Sequence, residues 1–163
     1  MKPLLVFCSL LSICCCGCHY MAVSGGHGGE FSAGNISVEG GVKEMRDNDW
    51  IILAGMTYIH AEGTERIVLS PDPYVAIPGD KRSDEIGVYA KIGREIIAGS
   101  GIFVMALGGV TGTEYEDLDG HETIECEPML GAGMIHFLPN KKISFQLDYD
   151  NRRGISAGIG FRF

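Results

Sequence analysis

The stretch Thr113–Thr123 concentrates five carboxylates, Glu114, Glu116, Asp117, Asp119 and Glu122. Oxygen ligands of this kind suit a hard cation such as calcium. The spacing lacks the Asp-x-Asp-x-Asp-Gly order of an EF-hand loop, so the segment reads as a solvated acidic loop and no metal ligand is assigned. A second cluster, Cys14-Cys15-Cys16-Gly17-Cys18, holds metal-binding atoms, but adjacent cysteines cannot easily aim their sulfurs at one ion. Cys8 lies in the same apolar front, which leaves Cys126 as the cysteine of the body. That excludes a disulfide framework and a paired CxxC metal pattern. A third set is dispersed along the chain: Glu39, Lys43, Lys91, Gln146, Asp148 and Arg162. Both signs are present, which matters if these side chains share an enclosed space, because an unpaired buried charge costs several kcal/mol.

The elements that would place them show best in the tail, Lys142–Phe163. Ile143, Phe145, Leu147 and Tyr149 alternate with Ser144, Gln146 and Asp148. After the turn Tyr149-Asp150-Asn151-Arg152-Arg153-Gly154, Ile155, Ala157, Ile159, Phe161 and Phe163 alternate with Ser156, Gly158, Gly160 and Arg162. Successive strand residues face opposite sides, so this is a hairpin with one apolar and one polar face. The chain closes on Phe163, an aromatic of the apolar face, where a soluble edge strand would be an aggregation hazard. Lipid is the expected neighbour of that face.

Residues 1–18 carry one early charge, Lys2, and then an unbroken run of apolar and small residues too short to span a bilayer; they read as a secretory signal. Gly17 before Cys18 suits a lipoprotein signal, but Cys15 stands where Leu is wanted. The frame Leu11-Ser12-Ile13-Cys14 has the Leu and puts Ile where a small residue is wanted. A removable leader is expected over 1–18, with the functional domain over 19–163. A formal charge of −8 argues against nucleic acid as a partner, whose phosphates demand a basic surface.

Strand candidates are Tyr20–Phe31, Asn35–Arg46, Trp50–His60, Glu85–Ile96, Gly101–Gly112, Glu125–Leu138, Lys142–Asp150 and Arg153–Phe163. Each is near the ~9–11 residues that cross a bilayer when tilted, and the number is even, as bacterial barrels require. With both chain ends in the periplasm, the turns Asp47–Asp49, Ala98–Ser100 and Pro139–Lys141 fall inside and are short. Ala61–Asp84 and Thr113–Thr123 fall outside and are long, the asymmetry such barrels show. Glu39, Lys43, Lys91, Gln146, Asp148 and Arg162 then point inward, and a barrel of this size is filled by side chains. The sequence therefore predicts an all-β, eight-stranded antiparallel barrel with a plugged, cross-linked lumen. Trp50–Ile59 and Ile102–Leu107 break the pattern by being apolar on both faces.

The last eight residues, with Ser156, Gly158, Phe161 and Phe163, resemble the C-terminal β-signal by which the barrel assembly machinery recognises outer-membrane proteins. The strands, this ending and the leader together resemble small eight-stranded outer-membrane barrels of the OmpA/OmpX type. The resemblance implies the outer membrane, its lipid and the assembly machinery as partners, with no catalysis and no cofactor. Some barrels of this size modify lipid A. A deacylase like PagL wants His-x-Ser, and none of His19, His27, His60, His121 and His136 has Ser two residues on. A palmitoyltransferase like PagP wants His, Asp and Ser near the outer rim; His60, Ser70 and Asp72 offer the types, but their spacing compels no triad. The function read from the sequence is structural or adhesive, through the outer loops, above all Ala61–Asp84. A lipid A-modifying enzyme and a soluble or lipid-anchored β-sandwich are the alternatives.

Overall fold

The computed structural model describes residues 19–28, 33–43, 50–60, 68–69, 76–77, 81–116, 122–140 and 142–163. The leader, the cysteine cluster, Ser70 and Asp72 lie outside the described residues. So does most of the Ala61–Asp84 loop.

Ten strands are described: β1 Tyr20–Gly28, β2 Ala33–Lys43, β3 Trp50–His60, β4 Val68–Leu69, β5 Ala76–Ile77, β6 Lys81–Glu95, β7 Ile102–Glu116, β8 Glu122–Phe137, β9 Ile143–Asp150 and β10 Gly154–Arg162. Eight of them close a barrel in the order β1-β10-β9-β8-β7-β6-β3-β2, and β4 and β5 make a small separate ladder. Every barrel neighbour is antiparallel. The two-sheet sandwich is thereby overturned, since the wall has no free margin along the barrel itself. No described helix is long and apolar enough to cross a membrane, and any crossing is made by strands.

The seam joins β1 to β10 from Tyr20↔Arg162 to His27↔Ile155. β1 is rich in glycine because the strands approach closely there. A Cβ on Gly26 would lie 2.0 Å from the Ile155 carbonyl oxygen and 2.6 Å from the Ser156 Cα. Inside the barrel, glycines make room for rings. A Cβ on Gly55 would meet Tyr89 Cζ at 2.5 Å, and one on Gly160 would meet the Tyr20 hydroxyl at 2.0 Å.

The outward face is a belt of large apolar side chains, among them Val23, Ile52, Val88, Val104, Leu130, Leu147 and Ile159, all exposed. Phe161 is 54% and Phe163 69% exposed, so neither is tucked into a protein core. Trp50, Tyr58 and Tyr149 stand on the same face near strand ends. A water-facing surface of this composition has no physical rationale; a lipid-facing one does.

The strands that looked apolar on both faces are explained by what lies inside. β3 buries Ile51 and Leu53 and β7 buries Phe103 and Met105; with Tyr20, Ala22, Ile135 and Phe137 they form one apolar cluster at the end of the lumen that carries His19 and Phe163. Tyr20 and Phe103 each meet Phe137 edge-on, with centroids 5.6 and 5.8 Å apart. The lumen thus has a largely apolar floor, where Ser144 bonds the Tyr20 hydroxyl at 2.9 Å, and a polar upper half, so inward positions of β3 and β7 near the floor carry no polar signal.

At the floor end the connections are 44–49, 96–101 and 138–142; at the other they are 29–32, 61–80, 117–121 and 151–153. The expected long loop Thr113–Thr123 is corrected here. β7 runs on to Glu116 and β8 starts at Glu122, paired through Thr113↔Glu125, Tyr115↔Thr123 and Glu116↔Glu122. β6 starts at Lys81, opposite Glu116, rather than at Glu85. These are polar strands beyond the lipid, where no apolar face is needed to hold a ladder.

Candidate functional site

Two features stand out: the charged half of the lumen, encircled by the apolar belt, and the β6–β7–β8 sheet that projects beyond it. In the lumen, the Lys91 ammonium from β6 lies 2.6 Å from Glu39 Oε2 on β2 and 2.5 Å from Asp148 Oδ2 on β9, and all three side chains are fully buried. Tyr89 donates its hydroxyl to the same Glu39 oxygen at 3.1 Å. The alternation that sends Glu85, Gly87, Tyr89 and Lys91 inward on β6 also sends Glu39 inward on β2 and Asp148 on β9. Opposite charges meet because three strands point them at one axis.

The turn between β9 and β10 adds two cations. Asp150 Oδ1 accepts the backbone N–H groups of Arg152 (3.0 Å) and Arg153 (2.7 Å), an Asx arrangement that fixes the turn, and Gly154 leaves it at φ 70°. Both arginine side chains are carried inward and buried. Arg153 donates Nε to Asp150 Oδ2 at 2.5 Å and Nη1 to Ser37 Oγ at 3.0 Å, and its guanidinium lies 4.4 Å from the centre of the Tyr89 ring. Its Nη2 is 4.0 Å from Asp148 Oδ2. Arg152 donates Nη2 to Glu85 Oε1 at 2.6 Å and pairs with Glu127. Asn35 Nδ2 holds the Arg153 carbonyl at 2.8 Å, and Ser156 donates to Asn35 Oδ1 at 3.0 Å.

Of the residues expected in a lumen charge network, Glu39, Lys91 and Asp148 come together. Arg162 sits half-buried at the floor end of β10, in register with Tyr20. Lys43 lies in β2 opposite Ile51, and its side chain is outside the described residues. Sequence reasoning missed Arg152, which lies in a turn where alternation assigns no face, and Arg153, which was expected to open the last strand but belongs to the turn, the strand starting at Gly154. Glu85 was expected as the first residue of its strand; it is buried inward and accepts a hydrogen bond from Arg152. Of the residues resembling an assembly signal, Ser156 is buried inward, Gly158 packs by Ser24 and Gln146, and Phe161 and Phe163 face outward.

At the rim, His60 Nδ1 lies 2.8 Å from Asp84 Oδ1, and Tyr58 donates its hydroxyl to Asp84 Oδ2. His60 and Tyr58 face outward from the barrel. A base oriented by a carboxylate is half of a nucleophilic constellation. Among the described residues no serine hydroxyl is bonded to His60, and no group of three or more His, Cys, Asp or Glu is placed to hold a metal ion.

The projecting sheet has an open side. The β8–β9 ladder ends at Gly131↔Asp150, while β8 continues away to Glu122 with β7 alone beside it among the described residues. Asn151 closes the last rung: its N–H donates to the Leu130 carbonyl (3.2 Å), Oδ1 accepts Leu130 N (2.8 Å) and Nδ2 donates to the Pro128 carbonyl (3.0 Å). Even-numbered β8 residues therefore aim their backbone groups at the open side. Pro128, lacking an N–H, occupies one of those positions, as edge strands allow.

A closed eight-stranded antiparallel barrel with an apolar exterior and a side-chain-filled lumen is the fold of the small outer-membrane barrels. No family model and no curated protein matches the chain. Among solved structures it is similar to Ail, the attachment invasion locus protein of Yersinia pestis, at 13% identity, with 88% of this chain and 93% of that chain covered and a TM-score of 0.50. Ail in a phospholipid bilayer nanodisc is matched at 15% identity, covering 89% and 99% of the two chains, with a TM-score of 0.49. At such identity the likeness is one of fold.

Proposed function

We propose that the protein is a non-enzymatic outer-membrane barrel that acts at the cell surface, binding a partner through its projecting sheet. The observation that carries this reading is the β8 margin from Glu122 to Cys126, which has no strand beside it on that side among the described residues and is raised on β6 and β7 past the last β9 pair. At ~3.4 Å per residue and barrel tilt, β8 stands roughly 20 Å proud of the β9–β10 turn. An extended segment of a partner can add to such an edge through main-chain hydrogen bonds. The likeness to Ail, named for attachment and invasion, is compatible with an adhesive role. The leader would direct export, and the Ser156–Phe163 ending would serve the barrel assembly machinery.

The test is a shortened barrel in which a two-residue turn replaces residues 113–125. Cells displaying it should lose adherence to a host-cell or matrix surface, while the protein keeps its heat-modifiable migration in detergent gels. Retained adherence would sink the reading. The pair His60–Asp84 favours the rival reading of a lipid-modifying enzyme. Incubation with lipopolysaccharide decides it: altered acyl chains, lost in His60→Ala, establish catalysis.

A further inference from the structure

We propose that the upper half of the lumen is a guanidinium-binding cup, which the β9–β10 turn fills with its own arginines. The strand wall of the cup supplies Glu39, Glu85, Glu127, Asp148 and Asp150 against one wall cation, Lys91. Both guanidinium groups come from the turn. The wall is built for them in shape as well as in sign. The Tyr89 ring gives Arg153 a flat aromatic face at 4.4 Å, Asp150 takes its Nε and Ser37 its Nη1, while Glu85 and Glu127 hold Arg152 between them. A planar forked cation meets all of these at once, and a compact ammonium does not. Acceptor capacity is left over: Glu39 Oε1 and Asp148 Oδ1 are buried without a hydrogen-bond partner.

The cup is blind, because the apolar cluster around Phe103 and Phe137 closes its floor. Among the described residues, the turn 151–153 is the segment that enters the cup from its upper end. A tethered arginine acts at high effective concentration, so free ligand gains the site only when the tethered group is withdrawn or removed. The ligand class is a small guanidinium, or an arginine side chain offered by a partner. This inference does not depend on the adhesive reading.

The experiment uses the full refolded barrel and methylguanidinium as probe. Arg153→Ala should lower the midpoint of heat-induced loss of the compact gel form by roughly 5–10 °C. About 10 mM methylguanidinium should recover at least half of that loss by binding the folded state. Wild type, and Arg153→Ala combined with Asp150→Asn, should show no recovery. Recovery by sodium chloride or tetramethylammonium to the same extent, or none by methylguanidinium, overturns the proposal. Arg152→Ala repeats the test at Glu85 and Glu127. Should a variant not fold alone, its refolding yield with and without methylguanidinium is the readout, and an unchanged yield overturns the proposal equally.

Discussion

Lys91 is the residue whose surroundings leave least freedom. Its ammonium is shared by two fully buried carboxylates, and neither carboxylate can turn to water. Removing one partner of a buried pair strands the other charge, which costs about 3–5 kcal/mol. Lys91→Met strands two, so a loss of at least about 3–5 kcal/mol is expected, read from urea unfolding in detergent with Trp50, the single tryptophan, as fluorescent reporter. Adding Glu39→Gln and Asp148→Asn should recover most of it, because a neutral polar set no longer carries the repulsion. A triple variant as unstable as the single one would show that Lys91 contributes through packing, not through charge.

The same logic of facing applies to whole strands, and it explains what was legible. The barrel, its strand number and the inward set on β2, β6 and β9 follow from alternation, which holds wherever one face meets lipid and the other a polar lumen. Alternation failed on β3 and β7, because Ile51, Leu53, Phe103 and Met105 face an apolar floor. It failed again on the outer ends of β6, β7 and β8, where the strands run on past the last pair of β8 with β9. The arginine turn was invisible, since no periodicity governs a loop. β8 offers a sharp element-scale test of its open side. Ile124 aims its N–H outward from the sheet and Glu125 aims its own at β7, by the parity that Leu130 and Asn151 set. Ile124→Pro should therefore fold normally, with heat-modifiable migration intact, and lose adherence. Glu125→Pro removes a ladder hydrogen bond and should loosen the β7–β8 ribbon, read as protease cleavage near residues 113–125. Equal sensitivity of both variants would mean that β8 has no free side.

For the molecule as a whole, the two halves of the lumen settle whether the barrel conducts. The upper half has two more acids than bases among its paired groups, so water and cations would favour it once the turn is moved. The lower half admits neither: Tyr20, Ile51, Phe103 and Phe137 reach across from β1, β3, β7 and β8 and pack with no exposure to speak of. A charge crossing that layer would leave water for a medium that offers the Tyr20–Ser144 hydroxyl pair and, within the cluster, no opposite charge, a cost of several kcal/mol even after relaxation. The floor, not the arginine plug, is therefore the barrier. In planar bilayers the wild type should carry no single-channel current, and Arg152→Ala/Arg153→Ala should remain silent, although its lumen is open from above. Adding Phe103→Ala and Phe137→Ala should produce a small cation-selective conductance, at a cost of about 3–5 kcal/mol in stability for each lost ring. Current through the arginine double variant alone would move the barrier to the turn and overturn the division of the lumen into cup and floor.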